Sequence, residues 1–163
     1  MLGDLEVRVP WCPADRWISC TTATLGPVTT LVGLTDDATG AAVVERIVDG
    51  RVTPEAAAAA AYDLLGQATP YKWWKSVRLM SLSCRDYIAG HLTLAGLDPR
   101  DLTVAQWCAS VYTLITRNAD DKTKFKTDVV FDDPPPGVVD DDWMSPDDFN
   151  AMVAAARAMP GQQ

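Results

Sequence analysis

The chain has 163 residues, 48% of them hydrophobic and 22% charged, which suits one domain with an appendage and excludes two full-sized domains. Its formal charge of -8 is concentrated: residues 132–148 hold seven aspartates and no Lys or Arg, whereas residues 1–131 hold 15 acids against 13 bases. That distribution lacks the clustered Lys and Arg of phosphate neutralisation, and no run approaches the roughly 18 apolar residues of a bilayer span, so neither nucleic acid nor membrane is an expected partner.

The first residues carry Asp4, Glu6 and Asp15 where a secretory leader has a basic and then an apolar run. Cys12, Cys20, Cys84 and Cys108 are spaced too widely for a short disulfide framework and read as small, reduced core residues. The expected address is the cytoplasm.

Residues 1–35 read as an arm, irregular or with short strands: Leu5, Val7 and Val9 alternate with charged residues, and Gly26, Pro27 and Gly33 interrupt two Thr-rich clusters. Asp36 or Asp37 offers a cap for a helix to about Val48, with Gly50 as its stop. Thr53 as cap, Pro54 at the first position and Glu55 in the first turn open an alanine-rich helix to about Gly66. Six consecutive alanines give high helix propensity and little bulk, which fits close approach of a neighbouring backbone.

One long central helix is expected from about Pro70 to Ala95. Trp73, Val77, Met80, Cys84, Ile88 and Ala95 form its apolar stripe, and Gly96 stops it. Thr103 and Gln106 make a capping-box pattern for the next helix, to about Asn118, with Val104, Trp107, Cys108, Val111, Leu114 and Ile115 on its buried side. A more polar helix spans about Asp120 to Phe131, and Pro134–Gly137 end it. Ser145, Pro146 and Asp148 then cap a last helix whose apolar side carries Phe149, Met152, Val153, Ala156 and Met159. The expected fold class is therefore mainly α: an arm over 1–35, a helical core over 36–131, an acidic Pro-rich linker over 132–144 and a C-terminal helix over 145–163.

No catalytic, cofactor or metal signature accompanies this pattern. Metal-ligand spacings such as CxxC or HExxH and the phosphate-binding glycine motifs are absent. Cys84 and His91 fall seven residues apart on the expected central helix, about 10 Å along its axis, beyond hydrogen-bond reach. The linker aspartates lack the Gly and terminal Glu of a calcium-binding loop. The expectation is a protein that is not an enzyme and needs no cofactor. Six tryptophans, with Trp73 and Trp74 adjacent, point instead to aromatic packing in a wide interface.

The run WWKSVRLMSLS, then LTLAGLDPRDLTVAQWCASVYTLITRNADDKTKFKTDVVFDDPPPGV, then DWMSPDDFNAMVAAARAMPG resembles the tail assembly chaperones of long-tailed phages that infect actinobacteria. The resemblance covers roughly residues 70–160, in the order QWCAxVY helix, DDK segment, PPPG break and closing FNAMVAxAR helix. It implies a largely helical, non-catalytic protein of the host cytoplasm that binds the tape measure protein, keeps it soluble and helps tail tube protein polymerise around it. Such a protein is absent from the mature virion. The family is often made in a short form and a frameshifted longer form, and this chain matches the short one.

A client of that kind calls for apolar anchors on a rigid helical scaffold. The candidates are Trp73, Trp74, Trp107, Tyr112 and Phe125, with Phe149 and Met152 on the C-terminal helix; the breadth of apolar surface on the central helix also fits a homo-oligomer. An alternative of another class is a virion structural protein, such as a head-to-tail connector or completion protein, which would share the helical composition.

Overall fold

Side-chain caps open four of the eight helices among the described residues. The computed structural model describes residues 2, 5–22, 26–138 and 140, and eight helices occupy them: α1 (Ala14–Thr21), α2 (Pro27–Leu34), α3 (Asp37–Val48), α4 (Pro54–Ala68), α5 (Trp73–Ser83), α6 (Asp86–Leu94), α7 (Val104–Thr116) and α8 (Asp121–Asp132). The protein is mainly α. Asp36 accepts from the Thr39 amide at 2.8 Å, Thr53 from Ala56 at 3.2 Å and Asp120 from Thr123 at 2.8 Å. At α7 the Thr103 hydroxyl accepts from the Gln106 amide, and the Gln106 side chain accepts from the Thr103 amide, closing both arms of the box. Gly50 and Gly96 adopt positive φ just beyond α3 and α6, the left-handed exit that glycine takes without steric cost.

The structure departs from the sequence reading in two places. Residues 14–34, expected as part of an irregular arm, hold α1 and α2. Pro13, Asp15 and the Gly26–Pro27 step are helix-start features, and Gly33 is a point of close approach: a Cβ there would lie 2.5 Å from Cys20 Sγ, so that thiol would have to turn away. Arg16 of α1 donates to the carbonyls of Gly33 and Thr35 at 2.7 and 3.3 Å, closing the end of α2. The expected arm survives N-terminal to α1, where Leu2 and Leu5 form an isolated antiparallel bridge and residues 6–13 are not helical.

The second departure is the central helix, which breaks after Ser83 into α5 and α6. Ser83 Oγ donates to the Met80 carbonyl at 2.6 Å and Cys84 Sγ to the same carbonyl at 3.5 Å, local bonds that compete with continuation of the helix. Arg85 turns extended, and Asp86 opens α6 with a first-turn acid. The chain can then fold back so that α6 packs on both α5 and α7.

Two compact units divide the chain, Met1–Asn118 and Ala119–Gln163. In the first, α2 packs against α1, α3 and α4, while α5 packs against α1, α4, α6 and α7. Leu31, Val43, Val52, Ala57 and Ala61, with Leu2, form an aliphatic core beneath α2–α4. Ala57, Ala61 and Leu65 recur every four residues on the buried side of α4, and the small residues let α2 approach closely, as the alanine run implied. Trp17, Leu79, Met80, Leu92, Trp107, Cys108 and Val111 are buried in the other part of the unit. In the second unit, α8 ends at Asp132 ahead of the proline run and buries Phe131. The expected C-terminal helix over 145–163, with Phe149 and Met152, lies outside the described residues.

Candidate interaction surface

The turn between α4 and α5 sets the geometry. Buried Thr69 and Ser76 place their hydroxyl oxygens 2.7 Å apart, and the Thr69 oxygen is 3.2 Å from the carbonyls of Leu65 and Tyr71. The Thr69 hydroxyl can donate to one carbonyl while accepting from Ser76, so a satisfied buried polar group ties the end of α4 to the start of α5. Cys108 of α7 adds a weak thiol contact to the Ser76 carbonyl at 3.9 Å.

This turn delivers the YKWWK run, residues 71–75, against α4 and α7. Trp73 stacks on Tyr62 of α4 with ring centroids 3.7 Å apart and planes 14° from parallel. Trp74 meets the edge of Trp73 at 5.5 Å and 86°. Tyr71 lies 6.3 Å from Tyr112 of α7. Two cations interleave with the rings: Lys72 Nζ sits 6.0 Å from the Trp74 centroid, and Lys75 Nζ sits 5.5 Å from Tyr71 and 5.1 Å from Tyr112. Lys75 is only 7% exposed, so its ammonium is part of a desolvated cation–π arrangement rather than a loose surface charge. Burial also raises the pKa of the Tyr62 phenol.

Of the residues singled out from sequence, Trp73, Trp74 and Tyr112 meet in this cluster. Trp74 is buried, with 5% exposure, while Trp73 and Tyr112 are half-buried and keep ring surface open. Trp107 is buried elsewhere on α7, and its Nε1 donor finds no acceptor among the described residues. Phe125 belongs to the second unit and is 49% exposed. Tyr62, Tyr71 and Lys75 were not singled out. The alternation of aromatic and cation in YKWWK was the available signal for Tyr71 and Lys75, whereas Tyr62 depends on a stacking partner that sequence spacing does not reveal.

The arrangement offers flat apolar faces, edge dipoles and fixed cations, which suit binding. Three of the four cysteines are held as thiols. Burial pushes the Cys108 thiol up to about 12 and raises Cys12 and Cys20, with Arg16 pulling the other way at both, so these sulfurs stay protonated at neutral pH. Cys84 closes α5, while His91 sits on α6 with its ring 4.5 Å from Tyr87; the two no longer share a helix. Among the described residues no three His, Cys, Asp or Glu side chains gather where they could hold a metal ion, and no helix is long and apolar enough to cross a membrane. No protein-family model, curated protein or solved structure matches the chain.

Proposed function

We propose that this chain is a non-catalytic tail assembly chaperone of a long-tailed actinobacterial phage, acting in the host cytoplasm and absent from the mature virion. It binds the tape measure protein, keeps that long helical client soluble and promotes polymerisation of tail tube protein around it. The observation that carries the reading is the ordered run of features over residues 70–160, from WWKSVRLMSLS through QWCASVY and DPPPG to FNAMVAAAR, and its resemblance to that family. The mainly helical architecture is compatible with it. The half-buried rings of Tyr62, Trp73 and Tyr112 supply a physical route, because a helical client presents a stripe of apolar side chains that open aromatic faces can cover.

Infected cells and purified particles test the proposal together. A chaperone is recovered from lysate in complex with the tape measure protein and is missing from virions by quantitative mass spectrometry. Stoichiometric copies in virions would overturn the proposal in favour of a connector or completion protein.

A further inference from the structure

The segment N-terminal to α1 has a feature that client binding does not use. Leu5, Val7 and Val9 are half-buried while Glu6, Arg8 and Pro10 are exposed, the period of two that marks a strand. Glu6 and Arg8 pair on one face at 2.8 Å, with side chains 62% and 81% exposed. Leu5 and Val7 pack on the aliphatic core, and the segment is flanked by one groove of about 580 Å³ over Val52, Ala56 and Ala60 and another of about 520 Å³ over Trp17 and Leu64. Yet beyond the Leu2–Leu5 bridge, this segment pairs with no strand among the described residues. Among the described residues, the backbone amides and carbonyls of Glu6, Val7, Arg8 and Val9 make no hydrogen bond.

Its two edges are not equivalent. Leu5 uses both its N–H and its C=O on Leu2, at 3.0 and 2.9 Å. Successive residues of a strand point these groups to opposite edges, so Glu6 and Arg8 present theirs on the edge away from Leu2. Pro10, without an N–H, ends any ladder there.

We infer that this edge pairs antiparallel with the same edge of a second copy, about a two-fold axis through Val7. In that register Glu6 of each copy lies opposite Arg8 of the other, giving four main-chain hydrogen bonds and two opposite-charge pairs, with Val7 facing Val7 at the axis. The charge pattern selects the register. Centring on Glu6 sets two carboxylates opposite each other, and centring on Arg8 sets two guanidinium groups opposite each other. The exposed charges that would keep a foreign strand off this edge are thus self-complementary between copies.

Sedimentation equilibrium of the full chain tests this. The wild type should dimerise with concentration. Glu6→Arg and Arg8→Glu should each weaken the dimer about tenfold or more, because each replaces two attractive pairs with two repulsive ones. The double variant Glu6→Arg/Arg8→Glu should regain wild-type affinity. At concentrations where every form is monomeric, all three should melt like the wild type, since both side chains are exposed, and the Glu6 and Arg8 amides of the wild type should gain hydrogen-exchange protection as concentration rises. A monomer at every concentration, including one that accepts a strand only from a different protein, would overturn the inference. So would a dimer indifferent to the single changes, or a double variant that stays weak.

Discussion

The two parts of the first unit reach close packing by opposite means. Around α2, α3 and α4 the core is built from Leu31, Val43, Val52, Ala57 and Ala61, small or branched side chains that bring backbones together. Around α5 and α7 the space is filled by Trp74, Trp107, Met80 and Leu79, and the rings of Tyr62, Trp73 and Tyr112 spread from that core toward the surface. A core of alanines ends where its helices touch, whereas a core of indoles and phenols leaves ring faces over. The difference lies in what each part leaves open: the aromatic part keeps ring faces of Tyr62, Trp73 and Tyr112 half-buried, whereas the aliphatic part exposes isolated branched side chains, Val44 and Val48 of α3.

The largest expected effect comes from truncating the aromatic part. Trp74→Ala should cost about 3 to 5 kcal/mol, as for other fully buried aromatics. Trp73→Ala, which removes a half-buried ring and its stack on Tyr62, should cost about 1 to 2 kcal/mol, near the worth of an aromatic pair with some lost burial. Chemical denaturation of both variants checks this, and equal losses would erase the distinction between core ring and presented ring.

Overfilling the aliphatic part comes next. Gly33→Ala places a methyl against Cys20 Sγ, and Ala61→Leu forces bulk between α2 and α4; each should destabilise by about 1 to 3 kcal/mol. Thermal melts of these variants report how tightly the small-residue packing is set. Stability gains at both sites would mean that α2 stands off from its neighbours.

Helix caps make a smaller, matched pair across the two parts. Thr53→Ala removes the cap of α4, and Thr103→Ala opens the capping box of α7, each costing about 1 kcal/mol. Similar losses in urea titrations would show that the two parts unfold as one cooperative unit, and a loss confined to one of them would show that they separate.

The smallest effect is a titration. Asp98, between α6 and α7, is held down to about 2, first by hydrogen bonds from the Arg100 side chain and then by its backbone amide. A carboxylate with a lowered folded pKa contributes stability that is present above its ordinary value near 3.8 and is lost as pH falls toward 2. Carboxyl NMR should therefore give a midpoint near 2 in the wild type, moving up toward the ordinary value in Arg100→Ala. An unchanged midpoint would assign the shift to the backbone amide alone.

Local chemistry carried most of the helix assignment. Thr53–Pro54–Glu55, Thr103 with Gln106, Asp36, Gly50 and Gly96 act within a few residues of themselves, so their roles were legible without tertiary structure. The misses share a cause. Gly33 read as a breaker because the reason for a glycine there, Cys20 on the preceding helix, comes only with the fold. The α5–α6 break depends on Ser83 and Cys84 bonding back to the Met80 carbonyl, while the apolar stripe runs on past it and suggests one helix. In the aromatic cluster, the crowding of rings at residues 71–74 was visible, but their division was not: that Trp74 is buried while Trp73 keeps ring surface open and stacks on Tyr62 depends on how α5 packs against other helices.

The central proposal is that the half-buried aromatic face of α4, α5 and α7 binds a tape measure protein. The most direct measurement is the soluble yield of tape measure protein co-expressed with wild-type chain or with Tyr62→Ala/Trp73→Ala, after circular dichroism has shown that the double variant is folded. The account predicts a soluble complex with the wild type and aggregated tape measure with the folded variant. Equal soluble yields with both would contradict it.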